Sequence, residues 1–266
     1  MLCISLSSSP GKFGTIVHNA GYRSLGLDWS YVACATNDLK GSIQAIKTLG
    51  IRGCSVSMPF KEDVMKYLDK IDTVAKKIGA VNTIVNNKGK LTGYNTDYIG
   101  AKESLKLLKP TKKHHFLVLG TGGASRSILF ALHDLGFTKI TISGRNFTKA
   151  KKLADKFNSE IISWNERETC TNEVLINATP IGMYPNTKYS PTSKIYIKNL
   201  KYVMDIISNP IETSLIKNAK SLKIKNSNGL TMSLFQARAQ FKLYTGLNLP
   251  MKVMKKAVSN HYKKKK

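Results

Sequence analysis

The segment SVSMPFKEDV, residues 55–64, holds a lysine at a position that could carry acid–base chemistry. Pro59 is typical of a helix start, so the sequence predicts Lys61 in the first turn of a helix over 60–71. The helix dipole disfavours a cation at that end, and a lysine that can release its proton can serve as a general base. Asp97 follows a separate strand and turn, where a carboxylate could orient the amine. Taken alone, these residues are equally compatible with a second interpretation, in which Lys61 is an ordinary solvated lysine and Asp97 only caps a helix.

A glycine-rich turn, LGTGGAS, lies between an apolar run and a helical pattern. Glycines let the backbone turn tightly and approach a pyrophosphate, which the free N–H groups of the following helix would bind. A turn that binds no ligand is the alternative, because the third position of the usual G-x-G-x-x-G pattern is a serine here. The residues predicted to bind the cofactor in this turn are Gly120, Gly122, Gly123, Ala124 and Ser125.

The next predicted strand ends in SGRNFTKAKK and has no acidic residue at its end. NAD-binding versions of this motif usually place a carboxylate there to bind the ribose 2′-hydroxyl. Two cations in its place favour a 2′-phosphate, so the sequence predicts NADP; two ordinary exposed cations at a helix start are the alternative. The predicted contacts in this segment are Gly144, Arg145, Asn146 and Lys149.

Strand and helix patterns alternate along most of the chain, which predicts an α/β fold with a parallel, doubly wound sheet. The first hundred residues read as strands at 2–6, 30–35, 52–58 and 80–86, with helices at 14–26, 38–49 and 60–71 and a hairpin turn in NNKGKL. The second series has strands at 116–119, 139–145, 173–179 and 202–207, and the chain ends with helices at about 230–245 and 250–262.

Two domains are predicted. Residues 1–100 would form a substrate-binding and catalytic α/β domain, and residues 101–230 a Rossmann-type NADP domain. The stretch KPTKKHH, 109–115, has the composition of a linker. The C-terminal helices, 231–266, are expected to pack back on the first domain.

The net charge of +26 raises the question of a polyanionic partner. Lysine outnumbers arginine 36 to 6, whereas bidentate readout of bases and phosphates favours arginine. The lysines are spread along the chain, and only the tail Lys263–Lys266 is a run, which usually means a solvated or disordered end. The charge therefore favours attraction of an anionic substrate or a phosphorylated cofactor over nucleic-acid binding.

Several other classes are not indicated. No apolar run approaches the roughly 20 residues of a membrane span, and no signal peptide is recognisable. The four cysteines are isolated, which predicts reduced thiols in a cytoplasmic protein. The histidines lack further ligands at zinc spacing, so no metal site is predicted.

Six motifs together resemble the shikimate dehydrogenase family over nearly the whole chain. They are VSMPFKE (56–62), GAVNTIV (79–85), GYNTD (93–97), GTGGASRS (120–127), INATPIGM (176–183) and LFQARAQFKLYTG (234–246). The resemblance implies NADPH-dependent, reversible reduction of 3-dehydroshikimate to shikimate. The sequence leaves open whether the protein is a monomer or a homodimer. It also implies a substrate domain, an NADP domain and a returning C-terminal helix.

The resemblance assigns roles to individual residues. It implies that Lys61 is the catalytic lysine and Asp97 its partner, that Asn82 anchors a ring hydroxyl, and that Thr179 and Met183 lie near the nicotinamide. The residues that it implies for substrate binding are Asn82, Ser57 and Gln236.

The chain departs from the family where the substrate carboxylate is bound. The family's two loop serines fall on Lys12 and Gly14, and its tyrosine falls on Ser208. Thr15 or Lys12 could still meet an anion. The stretches PGKFGT (10–15) and GIRGCSVSMPFKE (50–62) resemble the shikimate dehydrogenase-like branch, whose members are weak on shikimate.

The predicted function is therefore hydride transfer at a secondary alcohol of shikimate or a related cyclic hydroxy acid, with weak activity on shikimate itself. Three alternatives are a genuine shikimate dehydrogenase of aromatic amino-acid biosynthesis, a non-catalytic NADP-binding regulatory protein, and a nucleic-acid binder.

Overall fold

The structure is a computed structural model that describes residues 1–263, and the chain divides into two compact units. Unit 1 comprises Met1–Thr96 and Gln236–Lys266, and unit 2 comprises Asp97–Phe235. The last three residues of the predicted lysine tail, 264–266, lie outside the described residues.

Each unit is built on one sheet with helices packed against it. The strands are β1 Leu2–Ser7, β2 Ser30–Ala35, β3 Gly53–Val56, β4 Lys70–Ile71, β5 Thr83–Asn87, β6 Lys90–Tyr94, β7 Phe116–Leu119, β8 Ile140–Ser143, β9 Glu160–Ile162, β10 Val174–Asn177, β11 Tyr202–Asp205 and β12 Lys225–Ser227. The helices are α1 Phe13–Ser24, α2 Leu39–Thr48, α3 Thr73–Ile78, α4 Asp97–Leu108, α5 Gly123–Asp134, α6 Phe147–Lys156, α7 Lys194–Ile197, α8 Ser214–Ser221, α9 Gly229–Thr245 and α10 Met251–Lys263, with one 3₁₀ helix, Asp63–Tyr67.

The sheet of unit 1 is mixed and has the order β2-β1-β3-β5-β6-β4. Strand β1 pairs in parallel with β2 and β3, whereas β5 runs antiparallel to both β3 and β6. The predicted hairpin turn joins β5 to β6, where Lys88 and Gly89 have φ of 51° and 86°. Positive φ at both central residues is typical of the tight turns that match strand twist.

The sheet of unit 2 is entirely parallel, with the order β12-β11-β10-β7-β8-β9. This confirms the predicted doubly wound arrangement. The strand order reverses between β7 and β10, and ligands of such sheets bind outside the carboxyl ends of the strands at this point. Strands β7, β8 and β10 are buried along their whole length, which is why they read as continuous apolar runs.

The predicted helix over 60–71 is wrong. Lys61 lies in a turn, a 3₁₀ helix follows over Asp63–Tyr67, and Lys70–Ile71 pairs with β6. Tertiary contacts explain the difference, because the Asp69 carboxylate accepts a hydrogen bond from the N–H of Leu91 at 2.7 Å. Val64, Leu68 and Ile71, whose helical spacing suggested the helix, still contact the core: Val64 is fully buried in it, and the other two pack against it.

The stretch 109–115, which has the composition of a linker, joins α4 to β7 inside unit 2.

All four cysteines are free thiols. Within residues 1–263, no helix combines the length and apolar character needed to cross a membrane. The same residues contain no cluster of three or more metal-ligating side chains.

Candidate functional site

In unit 1, the Asn82 side chain is held by three donors. Its Oδ1 accepts hydrogen bonds from the N–H of Thr96 at 2.7 Å, the Oγ1 of Thr83 at 2.8 Å and the Oγ1 of Thr96 at 3.1 Å. These contacts fix the amide orientation, so Nδ2 is left as a donor. An amide NH₂ fixed in this way suits an acceptor such as a ring hydroxyl of a ligand.

Two glutamines of α9 support the same threonines. Gln236 Nε2 donates to the Oγ1 of Thr96 at 3.1 Å. Gln240 Nε2 donates to the Oγ1 of Thr83 at 2.9 Å and to the carbonyl of Asn82 at 3.2 Å. The structure thus brings the predicted Gln236 into one network with Asn82. Gln240 was not predicted, although a spacing of four residues puts it on the same helix face as Gln236.

Lys61 lies in a half-buried turn next to the Asn82 backbone. Its carbonyl accepts from the N–H of Val81 at 2.8 Å, and the N–H of Val56 donates to the carbonyl of Asn82 at 2.8 Å. Ser57 is exposed, and its N–H donates to the carbonyl of Leu6 at 2.9 Å. Asp97 is buried at the first position of α4, directly after Thr96 in the chain. Joint action of Lys61 and Asp97 stays a prediction.

The loop before α1 differs from a serine-lined one. Lys12 is the exposed N-cap residue of α1, and neither its side chain nor an acidic residue caps the first turn. Gly14 and Thr15 are half-buried in that turn. An added Cβ at Gly14 would lie 2.8 Å from the Cε1 of Tyr31, so a side chain at position 14 has no room.

In unit 2, the glycine turn after β7 leaves open space beside the start of α5. Gly120 has φ of +115°, and a Cβ there would lie 2.8 Å from the carbonyl oxygen of Ala178. Gly122 has φ of −84° and is the N-cap of α5, with no side-chain cap. A Cβ on Gly122 would have no neighbour within 4 Å. The free N–H groups of α5 are therefore open to an anion.

The rest of this turn packs inward. Gly123 and Ala124 begin α5 and are half-buried. Ser125, at the third motif position, is fully buried, and its Oγ has no hydrogen-bond partner among the described residues. That oxygen lies 3.2 Å from the site of an added Cβ at Gly120. A serine thus fits where a third glycine usually allows close packing of helix on strand.

The segment after β8 presents two cations. Arg145 and Lys149 are exposed, whereas a Cβ on the buried Gly144 would lie 2.6 Å from the Cγ2 of Thr121. Asn146 caps α6, since its Oδ1 accepts from the N–H of Lys149 at 2.9 Å. This donor set fits a 2′-phosphate, because Arg145 offers a planar guanidinium and Lys149 an ammonium. The segment SGRNFTKAKK that contains them has no acidic residue.

A buried network lies at the ends of β10 and β11. The Oδ1 of Asp205 accepts from the Nδ2 of Asn177 and the N–H of Ile207, both at 3.1 Å. Its Oδ2 accepts from the Oγ1 of Thr213 at 2.6 Å. Asn177 in turn accepts from the Oγ1 of Thr179 at 2.7 Å. Asp205 and Asn177 were not predicted; their positions at the ends of adjacent parallel strands were the available signal.

Thr179 and Met183 belong to one loop that follows β10. Both are half-buried, and the N–H of Met183 donates to the carbonyl of Pro180 at 3.0 Å. The hydrogen bonds of Asn177 to Thr179 and to the carbonyl of Ile181 fix the first part of this loop. Asp205 therefore supports Thr179 through Asn177.

Replacing Asp205 with asparagine is expected to change how stability depends on pH. Burial raises the pKa of Asp205 from its usual 3.8 to about 6. Between these values the unfolded chain ionises first, so wild-type stability falls as pH rises through this window. A rise of this size corresponds to about 3 kcal/mol. Asp205→Asn should abolish this loss, measured as the denaturation midpoint of the full chain from pH 2 to pH 8.

Asp134→Asn is the matched control because it should act with the opposite sign. The hydrogen bond from Lys102 lowers the pKa of Asp134, so its contribution is present at neutral pH and lost as pH falls through its folded pKa. An Asp205→Asn curve that stays parallel to wild type would contradict the assignment for Asp205.

Two family models match the chain, one in each unit. Residues 3–84 match the model described as shikimate dehydrogenase substrate binding domain. Residues 102–223 match the model described as shikimate / quinate 5-dehydrogenase.

Individual relatives agree with these matches. The chain is 38% identical over 246 residues to the shikimate dehydrogenase-like protein of Haemophilus influenzae, covering 92% of this chain and 90% of that one. It is 40% identical over 260 residues to the shikimate dehydrogenase (NADP(+)) of Methanocaldococcus jannaschii, covering 93% and 92%. The crystal structure of shikimate 5-dehydrogenase from Thermus thermophilus with NADP(H) and shikimate superposes with a TM-score of 0.87 at 30% identity, covering 98% and 99%. The chain belongs to the shikimate dehydrogenase family.

Proposed function

We propose that the protein is an NADP-dependent dehydrogenase that oxidises a secondary alcohol of shikimate or a related cyclic hydroxy acid, and catalyses the reverse reduction. Unit 1 is the substrate domain and unit 2 the cofactor domain. The observation that carries the proposal is the Asn82 amide, whose oxygen accepts from three donors and whose NH₂ is thereby presented beside the Lys61 turn.

Different residues of this chain bind the substrate, transfer the proton and hold the cofactor. Asn82 binds a ring hydroxyl, supported by Gln236 and Thr96. Lys61 takes the proton of the reacting hydroxyl during oxidation and returns it during reduction. Asp97 orients both the lysine and the hydroxyl. NADP supplies the redox chemistry when it is bound. Gly120, Gly122 and the start of α5 hold its pyrophosphate, and Arg145 with Lys149 hold its 2′-phosphate.

The identity of the substrate depends on the side chains available to bind its carboxylate and hydroxyls. The relative from Thermus thermophilus was crystallised with shikimate, and this chain keeps the residues assigned to the reacting hydroxyl. It lacks three polar side chains of the family's substrate site, at Lys12, Gly14 and Ser208. Each neutral hydrogen bond is worth about 0.5–1.5 kcal/mol, so weak binding of shikimate is expected unless other groups replace them. A fully active shikimate dehydrogenase is the alternative.

The test is NADP⁺ reduction by wild-type protein with saturating shikimate or quinate, together with direct measurement of NADP⁺ binding. Turnover with either acid supports the proposal, and its rate separates the weak branch from the fully active enzyme. NADP⁺ binding without turnover of any cyclic hydroxy acid would instead favour a regulatory protein. We also propose that the protein is cytoplasmic, binds neither metal nor nucleic acid, and works as a monomer or homodimer.

Replacing Arg145 with alanine is expected to raise the Kd for NADP⁺ by about 10- to 100-fold, because a charge-assisted hydrogen bond to phosphate is lost. The Kd for NAD⁺ should change little, since NAD⁺ has no 2′-phosphate. Both constants can be measured by calorimetry on the full chain. Lys152→Ala is the control, as Lys152 is also exposed on α6 but lies beyond its first turn. Equal losses for NADP⁺ and NAD⁺ would contradict the assigned role.

A further inference from the structure

Three side chains tie the beginning of α4 to the end of α5 in unit 2. The Oη of Tyr98 donates to the Oδ2 of Asp134 at 2.6 Å, and the Nζ of Lys102 donates to the same oxygen at 2.5 Å. Lys102 also donates to the Oη of Tyr98 at 3.1 Å. Tyr98 and Lys102 are four residues apart, so they lie on one face of α4 and reach Asp134 together. Each of the three groups therefore contacts the other two.

The ring of Tyr98 is held as well as its hydroxyl. It meets the ring of Phe130 on α5 edge-on, with centroids 5.2 Å apart and 77° between the planes. Both rings pack against the core of unit 2, which Ala101 and Leu105 of α4 continue. An exposed ion pair such as Lys102–Asp134 contributes little by itself. Tyr98 makes the contact specific, because its ring and its hydroxyl are both fixed on α5.

The charges of this cluster support the same contact. The hydrogen bond from Lys102 lowers the pKa of Asp134, and the same bond raises the pKa of Lys102. Burial raises the pKa of Tyr98, so the phenol keeps its proton and remains a donor at neutral pH. Asp134 is the last residue of α5, where the helix dipole disfavours a carboxylate. The two donors from α4 offset that effect.

The anchored turn of α4 carries Asp97, which directly precedes Tyr98. Asp97 is the first residue of α4 and is buried. Helix ends fray unless other contacts hold them, and the Tyr98 anchor is one residue away. The opposite end of α5 begins at the glycine turn assigned to the cofactor. One helix, about 18 Å long, thus has the cofactor turn at its start and the Tyr98 anchor at its end.

We propose that Tyr98 is a positioning residue which, together with Lys102 and Asp134, fixes Asp97 relative to the cofactor turn of unit 2. The inference rests on the proposed function, in which Asp97 orients the catalytic lysine and the reacting hydroxyl. Tyr98 acts through the backbone of α4 and through α5, not through contact with the substrate. Without the anchor the first turn of α4 gains freedom, and a displaced carboxylate orients its partners less well.

The experiment asks whether Tyr98 acts through Asp97. Tyr98→Phe removes the hydroxyl and keeps the ring on Phe130. It is expected to lower kcat for NADP⁺-dependent oxidation of shikimate or quinate by about 3- to 10-fold, and to change KM and the Kd for NADP⁺ by less than about twofold. In an Asp97→Ala protein, the same change should lower kcat no further, because the group that Tyr98 positions is absent. A purely structural role would lower the active fraction equally in both proteins.

Changes at Asp134 test the partner of the phenol. Asp134→Ala should reproduce the loss of kcat, and Asp134→Asn should recover part of it, because an amide oxygen can still accept from the hydroxyl. Lys106→Met is the matched control. Lys106 is exposed on the same helix but pairs within it, with Glu103 at 2.7 Å, so its loss should leave kcat unchanged.

The outcomes separate this inference from the proposed function. Unchanged kcat in Tyr98→Phe, or an equal loss with and without Asp97, would overturn the inference and leave the proposed function intact. Wild-type kcat in Asp97→Ala would contradict the role assigned to Asp97, and this inference with it. A wild-type protein that turns over neither shikimate nor quinate would contradict the proposed function itself, and the inference would fall for that reason.

Discussion

Replacing Lys61 with methionine is expected to lower kcat for NADP⁺-dependent oxidation by about 10²- to 10⁴-fold, the usual contribution of a positioned general acid or base. Methionine keeps much of the length and apolar stem of lysine but cannot carry a proton. The turn should survive the change, because its hydrogen bond from Val81 to residue 61 uses the backbone carbonyl. The Kd for NADP⁺ should stay within about twofold. Steady-state kinetics and calorimetry on the full chain measure the two effects separately.

Two further variants make this result specific. Lys61→Arg keeps the positive charge but cannot release a proton, so it should be almost as inactive as the methionine variant. Lys66→Met removes a nearby lysine of the 3₁₀ helix, which is exposed and pairs with Asp63 at 2.7 Å, and it should leave kcat unchanged. An arginine variant with wild-type kcat would mean that Lys61 acts as a charge and not as a proton carrier.

The architecture of unit 2 was the most predictable part of this chain. Its strands are buried on both faces, so each is a short apolar run bounded by turn residues, and helical patterns separate most of them. The glycine turn and Arg145 lie directly after such strands, and parallel strands place their carboxyl ends along one edge. Local sequence was therefore enough to predict this part of the fold, although it did not predict the short strands β9 and β12.

Unit 1 was harder because non-local contacts decide its local structure. The stripe of Val64, Leu68 and Ile71 has helical spacing, yet the backbone after Tyr67 is extended where Asp69 and Ile71 meet the β6 hairpin. The predicted helix was wrong, although Val64 lies in the core and Leu68 and Ile71 pack against it. Tertiary pairing overrides a spacing pattern that rests on only three apolar residues.

The alignment of hydroxyl side chains on the sheet of unit 1 was beyond sequence reasoning for a similar reason. Ser5, Ser55 and Thr83 are separated by many residues, and only the register of β1, β3 and β5 aligns them. The sequence identified the loss of a side chain at Gly14, but it gave no sign that Tyr31 fills the same space. Such a steric relation can be recognised only from distances between side chains that are far apart in the chain.

Two alanine substitutions in the glycine turn are expected to have different effects, one on stability and the other on cofactor affinity. Gly120→Ala should lower the free energy of unfolding by about 2–5 kcal/mol, because positive φ is strained for alanine and the added methyl has no room. The obstacle is the backbone carbonyl of Ala178, 2.8 Å away, which cannot rotate aside as a flexible side chain would. Denaturant unfolding of the full chain, monitored by circular dichroism, measures this loss.

Gly122→Ala should instead preserve the fold and lose the cofactor. Its φ of −84° suits alanine, and no atom lies within 4 Å of the new methyl, so stability should change by less than about 1 kcal/mol. The open space beside this residue is where we propose that the pyrophosphate meets the start of α5. The methyl should therefore raise the Kd for NADP⁺ by about 10- to 100-fold. A Gly122→Ala protein that binds NADP⁺ as tightly as wild type would show that the turn serves folding alone. The cofactor would then have to be sought elsewhere on unit 2.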